Sequence, residues 1–195
     1  YLDFERAGTE EGAAAEIRRL VELALLTPEQ GQAADPARIA AFFASPLGRE
    51  LMASTSLHRE YKFSILVPAA DYYPQAGGGE QVLLQGVVDC WFETLEGITV
   101  VDFKTDRVTR QTVLERGEEY RPQLTAYSRA LEEVTGRKVV RRMLWFFALD
   151  QAVDEARVGA AADAERAGGG RGVDEREVRD HGVGARQQIL ADRAG

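Results

Sequence analysis

Residues 82–104 read VLLQGVVDCWFETLEGITVVDFK, and this stretch decides the fold. Its two ends, Val82 to Phe92 and Ile98 to Lys104, are rich in β-branched and aromatic residues, which favour β-strands. A short polar link that closes with Glu96-Gly97 separates them, and glycine at such a point indicates a turn. Because a link this short cannot carry a crossover, we predict that the two strands are antiparallel neighbours.

Each predicted strand carries one aspartate within an apolar run, Asp89 in the first and Asp102 in the second. Burying a carboxylate in such a run is costly unless the group is paired or binds a metal. Residues i and i+2 of a strand point to the same face, so Asp102 and Lys104 project together. Two carboxylates and an ammonium on neighbouring strands predict a Mg²⁺ site at which a water is activated or phosphate charge is offset.

The acid-x-Lys string alone is weak support for that site. It also occurs as Glu60-Tyr61-Lys62, and about a quarter of the residues in an average protein are charged, so such strings arise by chance. The competing interpretation of Asp102 and Lys104 is a solvated strand face with a loose ion pair. The apolar surroundings of the two aspartates favour the functional site.

Helices and further strands are predicted on both sides of the central strand pair. We predict helices over residues 12–26, from Asp35-Pro36, from Ser45-Pro46 and over 118–135, and strands over 61–67 and 139–149. The predicted fold is therefore α/β, with a mixed central β-sheet flanked by helices and an N-terminal helical lead-in.

The composition predicts one domain over residues 1–150 and a disordered tail over 151–195. Aromatic residues vanish after about Ala152, and a chain of Ala, Gly, Arg, Asp and Glu buries too little apolar surface to offset its conformational entropy. One cysteine and two histidines exclude a four-thiolate zinc site, an iron–sulfur cluster and a histidine-rich metal site. Any metal would therefore be held mostly by oxygen.

The charge and the termini bear on location and partners. The net charge of −8 counts against a free-standing nucleic-acid binder but allows a catalytic module that other domains deliver to its substrate. No apolar run approaches the roughly 20 residues that a membrane span needs, and no signal peptide opens at Tyr1. We predict a cytoplasmic protein with no membrane partner. The first residue is not methionine, so we expect a piece of a longer chain.

Three motifs occur together in the predicted domain: Gln85-Gly-Val-Val-Asp89-Cys-Trp-Phe, Val101-Asp102-Phe-Lys104-Thr-Asp106 and Gln123-Leu-x-x-Tyr127. In this combination the chain resembles the RecB-type nucleases of the PD-(D/E)XK superfamily, and among them the nuclease domains of AddA-type subunits of bacterial helicase–nucleases. Ser45-Pro-Leu-Gly48 and Arg59-Glu60 also fit the helical lead-in of that family. The resemblance covers roughly residues 1–150, and it implies a restriction-endonuclease-like core.

The resemblance also implies a DNA exonuclease that depends on Mg²⁺ or Mn²⁺. Asp89 and Asp102 would bind the metal together with the backbone carbonyl of Phe103. Asp89, Asp102 and Lys104 would be the catalytic residues.

Four more residues are predicted to support the site. Gln123 and Tyr127, one helical turn apart, would position the active site or the DNA backbone, and Tyr120 shares their helix face. Core packing is an equally good interpretation of Tyr127. Glu60 is either an acid near the metal or the partner of an arginine in an ion pair.

The resemblance further implies a biological setting in a bacterial cytoplasm. The parent enzyme would process double-strand break ends for recombinational repair, with ATP-driven helicase domains in the same parent chain and an AddB-type partner subunit. Its substrates and products would be double-stranded DNA ends and single strands. No Gly-Lys-Ser/Thr phosphate loop occurs, so this piece is not expected to hydrolyse ATP itself.

One feature departs from the family, which carries a metal-binding histidine on an upstream helix. No histidine precedes His58 in this sequence. We expect the chain to begin after that helix, which leaves the activity of the isolated piece open. The alternative function is a non-catalytic DNA-binding or scaffolding module with a decayed nuclease fold.

Overall fold

The structure is a computed structural model and describes residues 1–156 and 158 of the chain. These residues contain five α-helices and five β-strands. The helices are α1 Glu10–Glu22, α2 Pro28–Ala33, α3 Pro36–Ala44, α4 Pro46–Ala53 and α5 Val113–Thr135. The strands are β1 Leu57–Pro68, β2 Gln81–Glu93, β3 Ile98–Lys104, β4 Val139–Phe146 and β5 Gln151–Asp154. Among these residues, none of the helices has both the length and the apolar character that crossing a membrane would require.

The strands form one mixed sheet in the order β1-β2-β3-β4-β5. β1 pairs antiparallel with β2, β2 with β3, and β4 with β5. β3 and β4 are parallel, and α5 forms the crossover between them that a parallel pair requires. The predicted α/β fold with a mixed sheet and an antiparallel central pair is confirmed.

The alternation of side chains on β3 separates two apolar cores. Val100 packs with Leu124 of α5 on one face, whereas Val101 packs with Phe42 of α3 and Leu51 of α4 on the other. Successive residues of a strand face opposite sides, so Asp102 falls on the α5 face with Val100. Helix α5 therefore lies on the same side of the sheet as Asp102.

Capping residues fix the starts of the lead-in helices. The side chain of Asp35 accepts hydrogen bonds from the amides of Ala37 and Arg38 at the start of α3, and Ser45 accepts one from Gly48 at the start of α4. Proline follows both caps at the first helical position, where its missing N–H is not needed. Both predicted helix starts are confirmed.

Helix α5 begins at Val113, five residues before the predicted start. Glycine is a poor helix former, yet Gly117 lies within the helix and is buried. A Cβ at this position would lie 3.1 Å from the Val158 side chain and 3.8 Å from that of Leu144. Glycine is therefore present where the helix packs closely on its neighbours, and the packing overrides its low helix propensity.

The sheet continues beyond residue 150, where the domain boundary was predicted. β5 pairs with β4, and Val153 is 5% exposed within the α5-side core. Glu155 is also buried and pairs with Arg121 of α5 and Arg142 of β4. One inward apolar residue in a four-residue strand was too weak a signal in the sequence. The rest of the predicted tail, residue 157 and residues 159–195, lies outside the described residues.

Candidate active site

The two predicted aspartates lie where β2 and β3 separate, a point we call the fork. The last paired residues are Cys90 and Val101, so Asp89 and Asp102 come next on their strands and stand opposite each other. The Asp89 Oδ2 atom accepts a hydrogen bond of 3.0 Å from the backbone N–H of Phe103. A side-chain carboxylate therefore takes the place of a ladder carbonyl at the fork.

The backbone of β1 is irregular beside the fork. The pairs Arg59–Cys90 and Tyr61–Val88 flank the position at which Glu60 faces Asp89 across the ladder. Glu60 has a φ of 50°, an uncommon conformation for a residue with a side chain. Such strain is concentrated at functional sites. Glu60 makes no ion pair within residues 1–156 and 158, so the predicted alternative of an arginine partner is not observed.

The carboxyl group of Asp102 is 1% exposed and lies beside a second acid. Burial raises its pKa to about 6; the negative charge of Asp89 adds to this rise, while Lys104 opposes it. The Lys104 ammonium contacts the Asp102 Oδ2 atom as an ion pair. That oxygen nevertheless receives no hydrogen bond of ordinary geometry from the described residues.

Lys104 is held on the α5 face by three side chains of that helix. Its Nζ donates a hydrogen bond of 3.0 Å to Gln123 Oε1, and Gln123 Nε2 donates one of 2.6 Å to the hydroxyl of Tyr127. The ring of Tyr120 lies under the ammonium, with 3.6 Å between Nζ and the ring centroid. Gln123 and Tyr120 thus contact Lys104 directly, and Tyr127 contacts Gln123.

Tyr127 packs in the core, as one interpretation of its sequence position expects, and a role in positioning the active site or DNA stays a prediction. Its ring is 7% exposed and packs edge-on against Phe63 at 5.9 Å between centroids. Burial raises the pKa of its hydroxyl, and the nearby charges of Asp102, Asp89 and Glu60 contribute to the rise. The phenol is therefore a neutral group at the edge of the acidic cluster.

The donor set at the fork fits a hard divalent cation. Burial and the negative charge of Asp89 both raise the pKa of Asp102, and a divalent ion held by the two carboxylates would offset this cost. No group of three or more His, Cys, Asp or Glu side chains converges within the described part of the chain. Asp89 and Asp102 could therefore supply two ligands, and a backbone carbonyl and waters could supply the rest. A ligand role for the Phe103 carbonyl stays a prediction.

A cavity of about 570 Å³ opens onto the fork. Asp89 and Glu60 form its polar end, and its apolar wall contains Phe4, Phe42, Phe103 and Phe147. A larger cavity of about 790 Å³ lies at residues 1–6 and contains neither aspartate. The smaller one therefore reaches Asp89 and Glu60 from the side of α3, whereas Asp102 and Lys104, on the α5 face, do not line it.

Asp106 is a residue near the site whose role the sequence did not predict. The Tyr120 hydroxyl donates its single proton to this carboxylate in a bifurcated hydrogen bond, with 2.9 and 2.8 Å between the hydroxyl oxygen and the two carboxylate oxygens. The Nε and Nη2 atoms of Arg116 donate to the same carboxylate at 3.0 and 2.7 Å. The only available signal was its place two residues after Lys104 in the second motif.

Comparison with known proteins agrees with this geometry. The model of the PD-(D/E)XK nuclease superfamily matches residues 2–190. The chain is 44% identical over 151 residues to an ATP-dependent helicase/nuclease subunit of Acetivibrio thermocellus, and the match covers 75% of this chain and 12% of the relative. The protein of the same name from Carboxydothermus hydrogenoformans is 38% identical over 153 residues, 78% of this chain and 13% of the relative.

A third relative, the ATP-dependent helicase/nuclease subunit of the same name from Bacillus velezensis, is 36% identical over 157 residues, 75% of this chain and 13% of the relative. The chain thus spans about an eighth of the length of these relatives. Because the family match extends over almost the whole sequence and the fold carries its acidic motif at the fork, the chain belongs to the PD-(D/E)XK nuclease superfamily.

Proposed function

We propose that this chain is a metal-dependent DNA nuclease domain of an AddA-type helicase–nuclease and that it hydrolyses phosphodiester bonds with Mg²⁺ or Mn²⁺. The observation that carries the proposal is the fork, at which Asp89 and Asp102 stand opposite each other and Lys104 contacts Asp102. The names of the relatives support a nuclease within a larger helicase-containing protein.

Asp89 and Asp102 are the proposed metal ligands. The hydrogen bond from the Phe103 amide fixes the orientation of the Asp89 carboxylate. Burial keeps water away from Asp102, which strengthens its interaction with a cation. A bound Mg²⁺ ion supplies an activated water and stabilises the charge that develops on the phosphate.

Lys104 is the proposed catalytic cation. Its ammonium has three N–H donors, and contacts with Gln123 and Asp102 account for two of them. The positive charge of the ammonium can orient the attacking water or offset charge on a phosphate oxygen. Gln123 is itself held by Tyr127, so the amide keeps its oxygen toward the ammonium.

The proposed setting is the processing of double-strand break ends in recombinational repair. The relatives are named as ATP-dependent helicase/nuclease subunits, which supports helicase domains in the parent chain, and the proposed partner is an AddB-type subunit. Double-stranded DNA ends would be unwound elsewhere in the parent and delivered to the fork.

DNA cleavage by the parent protein tests the proposal. Asp102→Ala should abolish Mg²⁺-dependent cleavage of linear duplex DNA while strand separation continues, because a helicase motor uses a separate phosphate-binding site. Asp71→Ala is the matched control, since Asp71 lies in an exposed ion pair with Arg129. Cleavage at the parental rate by Asp102→Ala would show that the site is wrong and would favour the scaffolding module.

A further inference from the structure

The Lys104 ammonium lies on the face of the Tyr120 ring, and the hydroxyl of that ring is hydrogen-bonded to Asp106. The Nζ atom is 3.6 Å from the centroid of Tyr120, close enough for a cation–π attraction. A lysine side chain is long and flexible, so a defined ammonium position requires contacts on several sides. Gln123 and Asp102 provide two such contacts, and the Tyr120 ring provides the third.

Asp106 anchors that ring. Its two oxygens share the single proton of the Tyr120 hydroxyl, and Arg116 donates two hydrogen bonds to one of them. The Arg116 guanidinium also lies 5.2 Å from the Tyr120 ring centroid. Asp106 belongs to the loop after β3, whereas Tyr120 and Arg116 belong to α5, so the acid ties the loop to the helix.

The protonation states suit this arrangement. Burial raises the pKa of Tyr120 to about 12, and the hydrogen bond to Asp106 contributes, so the phenol remains a donor. Burial acts to raise the pKa of Asp106, but hydrogen bonds from Arg116 and Tyr120 hold it below its usual value. A protonated phenol and an ionised carboxylate form a strong charge-assisted hydrogen bond.

We propose that Asp106 is a positioning residue for Lys104, acting through the ring of Tyr120. By fixing the hydroxyl, the carboxylate holds the ring against the ammonium and limits the rotamers of the lysine. The catalytic consequence rests on the proposed function, in which Lys104 is the catalytic cation. The fixed position of the Lys104 side chain does not rest on the proposed function, and it can be measured without DNA.

Chemical labelling of lysines in the 195-residue chain measures the position directly, because the sequence has only Lys62, Lys104 and Lys138. Lys62 is exposed and the Lys138 side chain is 85% exposed, whereas that of Lys104 is 11% exposed. Acetylation followed by mass spectrometry therefore gives a Lys104 rate with two internal references.

Asp106→Ala and Tyr120→Phe each remove the same hydrogen bond, so each should raise the labelling of Lys104 several-fold relative to the references. The double variant should show no further rise, because the two changes break one interaction. Asp106→Asn, whose amide oxygen still accepts from the hydroxyl, should restore most of the protection. Glu119→Ala is the matched control, since Glu119 contacts Arg116 without touching Tyr120.

An unchanged Lys104 rate in both Asp106→Ala and Tyr120→Phe would overturn the proposal. If Asp106→Ala does not fold, Tyr120→Phe, which lacks only one hydroxyl, decides the matter alone. A control variant that raises the Lys104 rate as much as Asp106→Ala would also contradict it, because the effect would then belong to Arg116.

Kinetics of the parent enzyme separate this inference from the proposed function. Asp106→Ala should lower kcat by about 10- to 100-fold, the usual cost of losing a partner that orients a site residue, with KM for DNA unchanged and with rescue by Asp106→Asn. A parent that does not cleave DNA at all would refute the proposed function while leaving the labelling result intact. A parent that cleaves equally well with Asp106→Ala would refute the positioning role alone.

Discussion

Asp102 is 1% exposed, and its carboxylate lies beside the like charge of Asp89. Its raised pKa means that ionisation costs the folded chain free energy even with Lys104 in contact. A metal-binding site of this kind carries an electrostatic cost until the cation arrives, and function is then gained at the expense of stability.

We therefore expect Asp102→Asn to stabilise the metal-free chain at pH 7, by an amount on the order of 1–3 kcal/mol, because a neutral amide removes the buried charge. Chemical denaturation with a chelator present measures it. Asp154→Asn, at a half-buried position of β5, is the control and should change little. A less stable Asp102→Asn chain would mean that the ion pair with Lys104 stabilises the folded chain by more than burial and the repulsion from Asp89 destabilise it.

The sequence allowed Asp89, Asp102 and Lys104 to be predicted because each follows from local pattern: an acid in an apolar strand and an i, i+2 pair. The role of Asp106 depends on Tyr120, fourteen residues later, and on the orientation of α5 above the sheet. The strained φ of Glu60 is equally a product of the fold. No local pattern carries such information.

At the scale of elements, β2 and α5 approach closely at Gly86. A Cβ on this residue would lie 2.8 Å from the ring of Phe63 on β1 and 3.6 Å from that of Tyr127 on α5. Glycine therefore lets the helix that carries Gln123 and Tyr127 lie close to the sheet.

Gly86→Ala should destabilise the chain by about 1–3 kcal/mol, since the added methyl group overpacks a closed interface. Displacement of the Tyr127 ring should also lower DNA cleavage by the parent. Gly78→Ala is the matched control, because a Cβ there meets nothing within 4 Å. Equal midpoints of thermal unfolding for the two variants would contradict the close packing.

Strand β5 is the element that the sequence analysis missed, and its contribution can be measured by truncation. A chain that ends at residue 150 loses the pairing with β4 and the buried side chains of Val153 and Val158. Burial of one such side chain contributes roughly 1.5–3 kcal/mol, so this chain should be several kcal/mol less stable than one that ends at residue 160. Urea denaturation compares the two, and equal stability would support the predicted boundary after all.

On the scale of the whole molecule, the mixed sheet and its flanking helices could be predicted from the sequence, but the extent of α5 and the presence of β5 could not. β3 and the antiparallel pairing of β2 with β3 follow from uninterrupted β-branched runs, which few other structures accommodate. The extent of α5 and the presence of β5 depend on contacts between distant residues, such as Gly117 with Val158. Local propensity does not contain these contacts.

The charge of the whole chain also bears on the proposal. A net charge of −8 repels DNA, so under the proposed function this chain would contribute a cleavage site rather than the main DNA affinity. A chain that spans 12% to 13% of its relatives agrees with such a division of labour. Basic surfaces elsewhere in the proposed parent would then hold the strand at the fork.

The most direct test of the central claim is the anomalous scattering of Mn²⁺ in crystals of the 195-residue chain. The proposed site predicts one strong peak at the fork, within about 2 Å of an oxygen of both Asp89 and Asp102, and its loss in crystals of Asp102→Ala. A peak bound elsewhere, or a peak that survives Asp102→Ala, would contradict the claim that these two carboxylates hold the catalytic metal.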